Sequence, residues 1–156
     1  MQQKIQIMLQ LQDDMNSKVN KDWREKGFAW YRAIWVECAE MLDHYGWKWW
    51  KKQTPDIEQV TLELIDIWHF GLSILLLEQV NADAISQQLQ NALDGEDRDN
   101  TRTFADVLEE FVADTLKTQR FNVTLFARLM RSIGLSFDDL YSGYVGKNVL
   151  NFFISR

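Results

Sequence analysis

The sequence has 156 residues, a hydrophobic content of 46% and a formal net charge of −6. This size predicts one domain over residues 1–156, and the acidic balance without a long basic run argues against binding along a nucleic-acid polymer. A lone cysteine, Cys38, cannot form an internal disulfide, and the longest apolar stretch (71–77, with Ser73 inside it) is far shorter than a membrane span, so we expect a soluble cytoplasmic protein without membrane contact.

The first half of the chain shows apolar residues at helical spacing. A helix begins near Ile5 and is expected to break in the polar stretch 16–20. A second stripe runs from Phe28 to Leu42, and Gly46 interrupts it. The chain therefore opens with two predicted helices.

A long helix is predicted next, from Pro55 to about Val80. Thr54 is expected to be its N-cap, with Pro55 in the first helical position. Beyond Leu62 the segment is apolar on nearly all sides, which is typical of a helix that is buried at the centre of a fold.

The second half repeats the helical pattern. A charged loop is predicted at 94–99, an apolar helical stripe at 104–116, a short helix from Asn122 to Gly134, and a last helix from Ser136 onward. No strand-like alternation occurs. We therefore predict an all-α fold, a compact bundle of five to seven helices.

Two pairs of acidic residues lie within these apolar helical stretches. Glu37 and Glu40 are three residues apart on one helix, and Glu63 and Asp66 repeat that spacing on the next. Antiparallel packing of the two helices would bring four carboxylates together, which requires protons or cations to neutralise them. Hard oxygen ligands favour Mg²⁺, with Mn²⁺ as a substitute, and two ions about 4 Å apart would clamp a polyphosphate.

Tryptophan is abundant. Five of the seven tryptophans fall between Trp30 and Trp50. Tryptophan supplies much buried area per residue, so a helical core together with a dimer interface is the favoured interpretation, and a base-stacking wall is the alternative.

Four segments resemble a known family in order and spacing. They read Trp-Tyr-Arg-Ala-Ile-Trp-Val-Glu-Cys-Ala-Glu at 30–40, Trp-Lys-Trp-Trp-Lys at 47–51, Glu-Leu-Ile-Asp-Ile-Trp-His-Phe at 63–70, and Tyr-Val-Gly-Lys-Asn-Val-Leu-Asn at 144–151. The chain resembles the dimeric all-α dUTPases, relatives of the wider all-α NTP pyrophosphatase (MazG-like) group. The resemblance implies a helical homodimer that converts dUTP, and also dUDP, to dUMP.

The resemblance also implies roles for single residues. Glu37, Glu40, Glu63 and Asp66 would be the Mg²⁺ ligands, and one of the glutamates would orient or deprotonate the attacking water. The implied substrate-binding residues are Gln12 and Asn16 for the base, Trp47 as a cover over it, His69 and Phe70 beneath the deoxyribose, Lys48, Lys51 and Lys147 for the phosphates, and Asn148 and Asn151 for the base or sugar.

One segment departs from the family pattern. The family continues past Leu-Asn with an arginine and then a Gly-Tyr-Lys-x-Gly segment that helps to bind the phosphates. In this sequence residues 153–156 follow instead. We expect either that this phosphate-binding tail is lacking or that Arg156 takes its place.

Three other functions stay open at the level of sequence. A MazG-like pyrophosphatase for another nucleotide, such as dCTP, would share the acidic motifs. A di-iron or di-manganese carboxylate bundle would use the Asp66-x-x-His69 spacing, but such sites need two such His motifs and the chain has two histidines in all. A non-enzymatic helical interaction module is favoured if the four acids face solvent.

Overall fold

A computed structural model describes residues 1–95 and 102–154, with side chains as far as Asn151. Within these ranges the chain forms seven α-helices and no strand. The helices are α1 (Gln2–Val19), α2 (Trp30–Tyr45), α3 (Ile57–Leu77), α4 (Ala82–Asp94), α5 (Phe104–Thr118), α6 (Val123–Ser132) and α7 (Phe137–Ile154), with a 3-10 turn at Trp23–Glu25. The predicted all-α fold is confirmed; Arg156 lies outside the described residues.

Helix α3 is the centre of the fold, as its composition predicts. It packs against α1, α2 and α7, and eleven of its residues are buried. Trp68 is fully buried and stacks on Phe126 of α6, with ring centroids 5.2 Å apart. By length and composition α3 would also suffice to cross a membrane, but the buried core helix of a soluble protein meets the same criteria, so this is weak grounds for a membrane span.

Side-chain caps begin the helices from α3 onward, and one predicted cap is corrected. The predicted N-cap Thr54 is wrong, because α3 begins later and the carboxylate of Asp56 accepts from the backbone N–H of Gln59 at 3.1 Å. The predicted caps Asn122 and Ser136 are confirmed by bonds to the N–H groups three residues on, at 3.0 and 3.1 Å.

Three other predicted boundaries differ from the structure. The polar stretch 16–20 does not break α1, which continues to Val19 and turns Asn16 into the core. The second helix begins at Trp30, and Phe28 precedes it. Helix α4, which the sequence pattern did not reveal, is capped by Asn81 and reaches Asp94; the rest of the predicted loop at 94–99, from residue 96, lies outside the described residues.

The packing of α2, α3 and α7 determines where the acidic residues lie. Helices α2 and α3 run antiparallel, because His44 near the end of α2 meets Glu63 in the first half of α3, while Glu37 lies close to Asp66 farther along α3. The acidic pair of α2, Glu37 and Glu40, therefore faces the acidic pair of α3, Glu63 and Asp66. Helix α7 closes the group, with Lys147 in contact with Asp66.

A glycine on α3 tests how tightly this core is packed. A Cβ added at Gly71 would lie 2.6–2.7 Å from the aromatic ring of Phe121, which is buried among other aromatic rings. We expect Gly71→Ala to lower the free energy of unfolding by about 1–3 kcal/mol, because a rigid ring must shift. Gly146→Ala is the control, because a Cβ there meets no atom within 4 Å and the helix gains propensity. Urea denaturation measures both; equal stabilities would contradict the packing argument.

Candidate active site

The four predicted acidic residues form one electrostatic cluster across α2 and α3. Partial burial, followed by the charges of Asp66, Glu40 and Glu63, raises the pKa of Glu37 to about 7, and Lys147 opposes this shift. Both the exclusion of water and nearby like charges favour the protonated form of a carboxyl group, and here three of the contributing charges are the other acids. The structure therefore brings the two acidic motifs together, as their spacing predicts.

Glu63 is the buried member of the cluster. Its carboxylate is about 3% exposed, and Oε1 lies 2.5 Å from Nδ1 of His44. Burial raises the pKa of Glu63, while His44 and the side chain of Gln59, one turn earlier on α3, oppose the shift. A buried carboxylate is costly unless it is neutralised, so this group is suited to a nearby cation or a proton.

Asp66 is partnered by a lysine from another helix. Its Oδ1 contacts Nζ of Lys147 on α7, and both side chains are about one-quarter exposed. Lys147 thus brings a positive charge to the cluster, and the imidazole of His44 contacts its buried member. With those partners in place, no three His, Cys, Asp or Glu side chains in the described ranges converge closely enough to hold one ion. The carboxylates are near neighbours that need side-chain rotation to converge.

Glu40 differs from the expectation that these acids point into the core. It is exposed, whereas Glu37 and Asp66 are half-buried and Glu63 is buried. Glu40 still belongs to the cluster, because its charge raises the pKa of both Glu37 and Glu63.

A cavity of about 490 Å³ lies beside the cluster, on the side of α1 and α7. Polar groups and aromatic rings share its wall, which consists of Met15, Asn16, Val19, Asn20, Trp23, Phe28, Trp30, His69 and Asn151. Trp23 and Trp30 meet edge to face with centroids 6.0 Å apart. Burial lowers the pKa of His69 to about 4, and Lys147 adds to this, against the opposing charge of Asp66. His69 is therefore a neutral imidazole near pH 7.

The cavity and the cluster are one helical turn apart on two helices. Asp66 and His69 are three residues apart on α3, and Lys147 and Asn151 are four apart on α7. In each pair the first residue belongs to the cluster and the second lines the cavity. One turn is about 5.4 Å along the axis. An aromatic cavity next to a site that attracts cations is an arrangement suited to a nucleotide.

A comparison with protein families identifies the family to which the chain belongs. A family model described as dUTPase matches residues 4–155. The chain belongs to the dUTPase family. It is thus an enzyme that hydrolyses a nucleoside triphosphate, and its all-helical architecture fits the dimeric all-α class of dUTPases. A search of curated proteins finds no match.

The structure distributes the other predicted substrate residues of this dUTPase over three places. Asn16, His69 and Asn151 line the cavity. Phe70 packs on Trp30 with centroids 6.2 Å apart.

Gln12 and Asn148 lie deeper than the cavity wall. Gln12 is fully buried and hydrogen-bonds to Asn16 and Tyr144. Asn148 is 4% exposed and lies beside the Tyr144 hydroxyl. Burial raises the pKa of Tyr144, and Asn148 opposes this shift. The buried Nδ2 of Asn148 makes no aligned hydrogen bond to any described residue.

The predicted Trp-Lys residues lie apart from the cavity. Trp47, Lys48 and Lys51 belong to the connection between α2 and α3, where Lys48 N–H donates to Gln53 at 2.8 Å. Trp47, Trp49 and Trp50 contact one another edge to face and are 41%, 84% and 60% exposed. None of these residues contributes to the cavity wall.

Sequence reasoning missed several residues of the site. Trp23 and Phe28 line the cavity, and His44 contacts Glu63. The high tryptophan content was a signal for an aromatic wall, but spacing along one helix cannot locate a ring on the segment between α1 and α2. His44 lies on α2 one turn after Glu40, so its side of the helix was predictable and its partner on α3 was not.

The raised pKa of Glu37 predicts how stability depends on pH in the metal-free protein. The folded state binds a proton at Glu37 more tightly than the unfolded state, so this contribution is full below about pH 4.5 and is lost as pH rises to about 7. Relative to wild type, Glu37→Gln should gain stability over that interval. Thermal unfolding in EDTA between pH 4 and 8 measures the difference; a pH-independent difference would mean that Glu37 is not perturbed.

Proposed function

We propose that the chain is a Mg²⁺-dependent dUTP diphosphatase that converts dUTP and water to dUMP and pyrophosphate. The observation that carries the proposal is the position of the carboxylate cluster, one helical turn from an aromatic, amide-lined cavity on both α3 and α7. A nucleotide with its base in the cavity would direct its phosphates toward the cluster. The same arrangement suits dUDP, which also yields dUMP.

The donor chemistry of the cluster fits Mg²⁺. All four acidic groups offer hard oxygen atoms, three of them raise the pKa of the fourth, and the carboxylate of Glu63 is about 3% exposed. Glu37, Glu40, Glu63 and Asp66 would hold the metal. When bound, Mg²⁺ neutralises the phosphate charge and lowers the pKa of coordinated water.

The protein's own groups would position the phosphates and the water. Phosphoryl transfer needs mainly orientation and neutralisation of charge that develops on phosphate oxygens. Lys147 is the cation nearest to the cluster, so a phosphate that approaches Asp66 would meet its ammonium group. One of the glutamates would also orient or deprotonate the attacking water.

The cavity supplies the groups that a uracil base requires. The side-chain amide of Asn16 can donate to a ring carbonyl and accept from the ring N3–H. Neutral His69 and the rings of Trp23 and Trp30 provide an apolar surface for the base and the deoxyribose.

We further propose that the enzyme works as a homodimer in the cytoplasm. Apolar side chains lie exposed on the helices of the site, namely Val36 on α2, Leu62 on α3, and Val149 and Leu150 on α7, each at least 40% exposed. Exposed apolar groups on neighbouring helices are typical of a subunit interface. Sedimentation equilibrium of the full chain tests this, and a purely monomeric species would contradict it.

The rival functions receive less support. Glu63 is buried, and Glu37 and Asp66 are half-buried, which disfavours an interaction module with solvent-facing acids. A di-iron site needs two carboxylate-x-x-His motifs, and Asp66-x-x-His69 is the one such spacing in the sequence. A pyrophosphatase that acts on dCTP would have the same acidic cluster, so the assay below includes dCTP as a substrate.

Nucleotide hydrolysis tests the proposal directly. We expect Mg²⁺-dependent release of dUMP from dUTP and from dUDP, with much slower turnover of dCTP, dTTP and UTP, measured by chromatographic separation of the products. EDTA should stop the reaction. Equal rates on dCTP would retain the dUTPase fold and remove the substrate assignment, and no hydrolysis of any nucleotide would overturn the proposal.

A carboxylate substitution separates catalysis from folding. We expect Glu40→Gln to reduce kcat on the order of a hundredfold or more. The substitution removes a negative charge that would help to hold the metal at the phosphates, and it does not change the shape of the side chain. The stability of the variant should not fall, since Glu40 is exposed. Glu58→Gln, on the exposed first turn of α3, is the matched control and should keep full activity. Unchanged turnover in Glu40→Gln would mean that this acid is not a ligand.

A further inference from the structure

A chain of buried hydrogen bonds connects α7, α1 and α3 behind the cavity. The hydroxyl of Tyr144 donates to Oε1 of Gln12 at 2.8 Å, and Nε2 of Gln12 donates to Oδ1 of Asn16 at 2.8 Å. Nδ2 of Asn16 then donates to Oγ of Ser73 at 2.9 Å, and the Ser73 hydroxyl donates to the backbone carbonyl of His69 at 3.4 Å. All four side chains are less than 9% exposed. We call this chain the relay.

The observed direction of the relay satisfies its Ser73 end. A backbone carbonyl can only accept, so a Ser73 hydroxyl that donates to the His69 carbonyl accepts from Asn16. Asn16 then presents its oxygen to Gln12, and Gln12 presents its own oxygen to Tyr144. Each link constrains the next, so both amides turn together and the acceptors at the two ends of the relay decide which way they face.

This orientation reaches the cavity through Asn16. After its bonds to Gln12 and Ser73, the amide of Asn16 retains one N–H and one oxygen lone pair with no partner among the described residues. Asn16 is also the member of the relay that lines the cavity. The cavity therefore presents one donor and one acceptor in a fixed order.

We propose that Ser73 is a positioning residue for substrate selection, which holds the Asn16 amide in the orientation that accepts uracil and rejects cytosine. This inference rests on the proposed function. Ser73 does not line the cavity and acts through the relay. The ligand that it selects is a pyrimidine deoxynucleotide whose ring carries N3–H next to a carbonyl.

The chemistry of the two bases explains why orientation matters. On the edge formed by positions 3 and 4, uracil offers a donor at N3 and an acceptor at O4, whereas cytosine offers an acceptor at N3 and a donor at its amino group. An asparagine amide in one orientation matches uracil, and the same amide rotated by 180° matches cytosine. A free amide would read both bases. A site with a fixed orientation leaves buried polar groups unpaired with the wrong base, which is the effective form of discrimination.

The relay has one competing arrangement. The Tyr144 hydroxyl also lies 3.3 Å from the backbone carbonyl of Met8. If Tyr144 donated there, it could accept from a rotated Gln12, and Asn16 would rotate with it. Ser73 would then lose its bond to the His69 carbonyl. The two ends thus favour opposite directions, with Ser73 stabilising the observed direction and Tyr144 enabling the other.

This opposition predicts different effects at the two ends of the relay. Ser73→Ala removes the acceptor that directs the Asn16 N–H and leaves the Tyr144 end able to reverse the amides. We expect the ratio of kcat/KM for dUTP over dCTP to fall roughly tenfold, through a higher KM for dUTP and a lower KM for dCTP, with kcat for dUTP little changed. Tyr144→Phe removes the hydroxyl needed for reversal, so the ratio should stay near wild type while kcat/KM falls for both nucleotides.

The experiment compares these two variants with a matched control. Ser86→Ala on α4 also removes a buried serine hydroxyl, but one outside the relay, and it should leave the ratio and both KM values unchanged. Steady-state kinetics on dUTP and dCTP with Mg²⁺, together with the thermal unfolding temperature of each variant, provide the readouts. If a variant turns over too slowly for kinetics, the ratio of its equilibrium dissociation constants for dUMP and dCMP is measured instead.

Each outcome has a definite meaning. A lower ratio in Ser73→Ala alone supports the inference. An unchanged ratio in Ser73→Ala, or an equal loss in Tyr144→Phe, overturns it while dUTP hydrolysis by wild type leaves the proposed function intact. A wild-type enzyme that does not distinguish dUTP from dCTP overturns both.

Discussion

Like charges held together across two antiparallel helices are the constraint on which this site depends. Glu37 is partly withdrawn from water, and three carboxylates surround it, so its proton is held to about pH 7. The fold tolerates this repulsion because Lys147 reaches Asp66 from α7 and His44 reaches Glu63 from α2. A cluster balanced by side chains at its edges can exchange those partners for a cation. The cost of assembling the acids is thus linked to the ligand that they attract.

The same helices that assemble the charges also build the cavity. Helix α3 is buried on nearly all sides, so its direction and rotation are set by the core, and residues one turn apart keep a constant spacing. Asp66 and His69 on α3 therefore have a defined separation, as do Lys147 and Asn151 on α7. A site on rigid helices holds the base-binding and phosphate-binding regions in register.

Two kinds of recognition are separated in this arrangement. In the proposed function, the charged groups that would hold the metal and the phosphates lie at the α2–α3 contact and at Lys147 on α7, where their effect does not depend on the base. Neutral groups surround the cavity: His69 is uncharged near pH 7, and Asn16 is held by Gln12 and Ser73. Neutral hydrogen bonds contribute less affinity than charges but depend on the order of donors and acceptors, which suits them to selecting a base.

Local patterns in the sequence determined the helical class, the buried character of α3, the caps Asn122 and Ser136, and the approach of the two acidic pairs. The helical class follows from residue spacing, the burial of α3 from its composition, the caps from residue type, and the approach of the acids from two equal spacings on consecutive helices. Only tertiary packing decided that Glu40 is exposed and that the polar residue Asn16 lies inside α1 in contact with Ser73, fifty-seven positions away. Spacing within a helix tells which side chains share a face, whereas burial and partners depend on which helix covers that face.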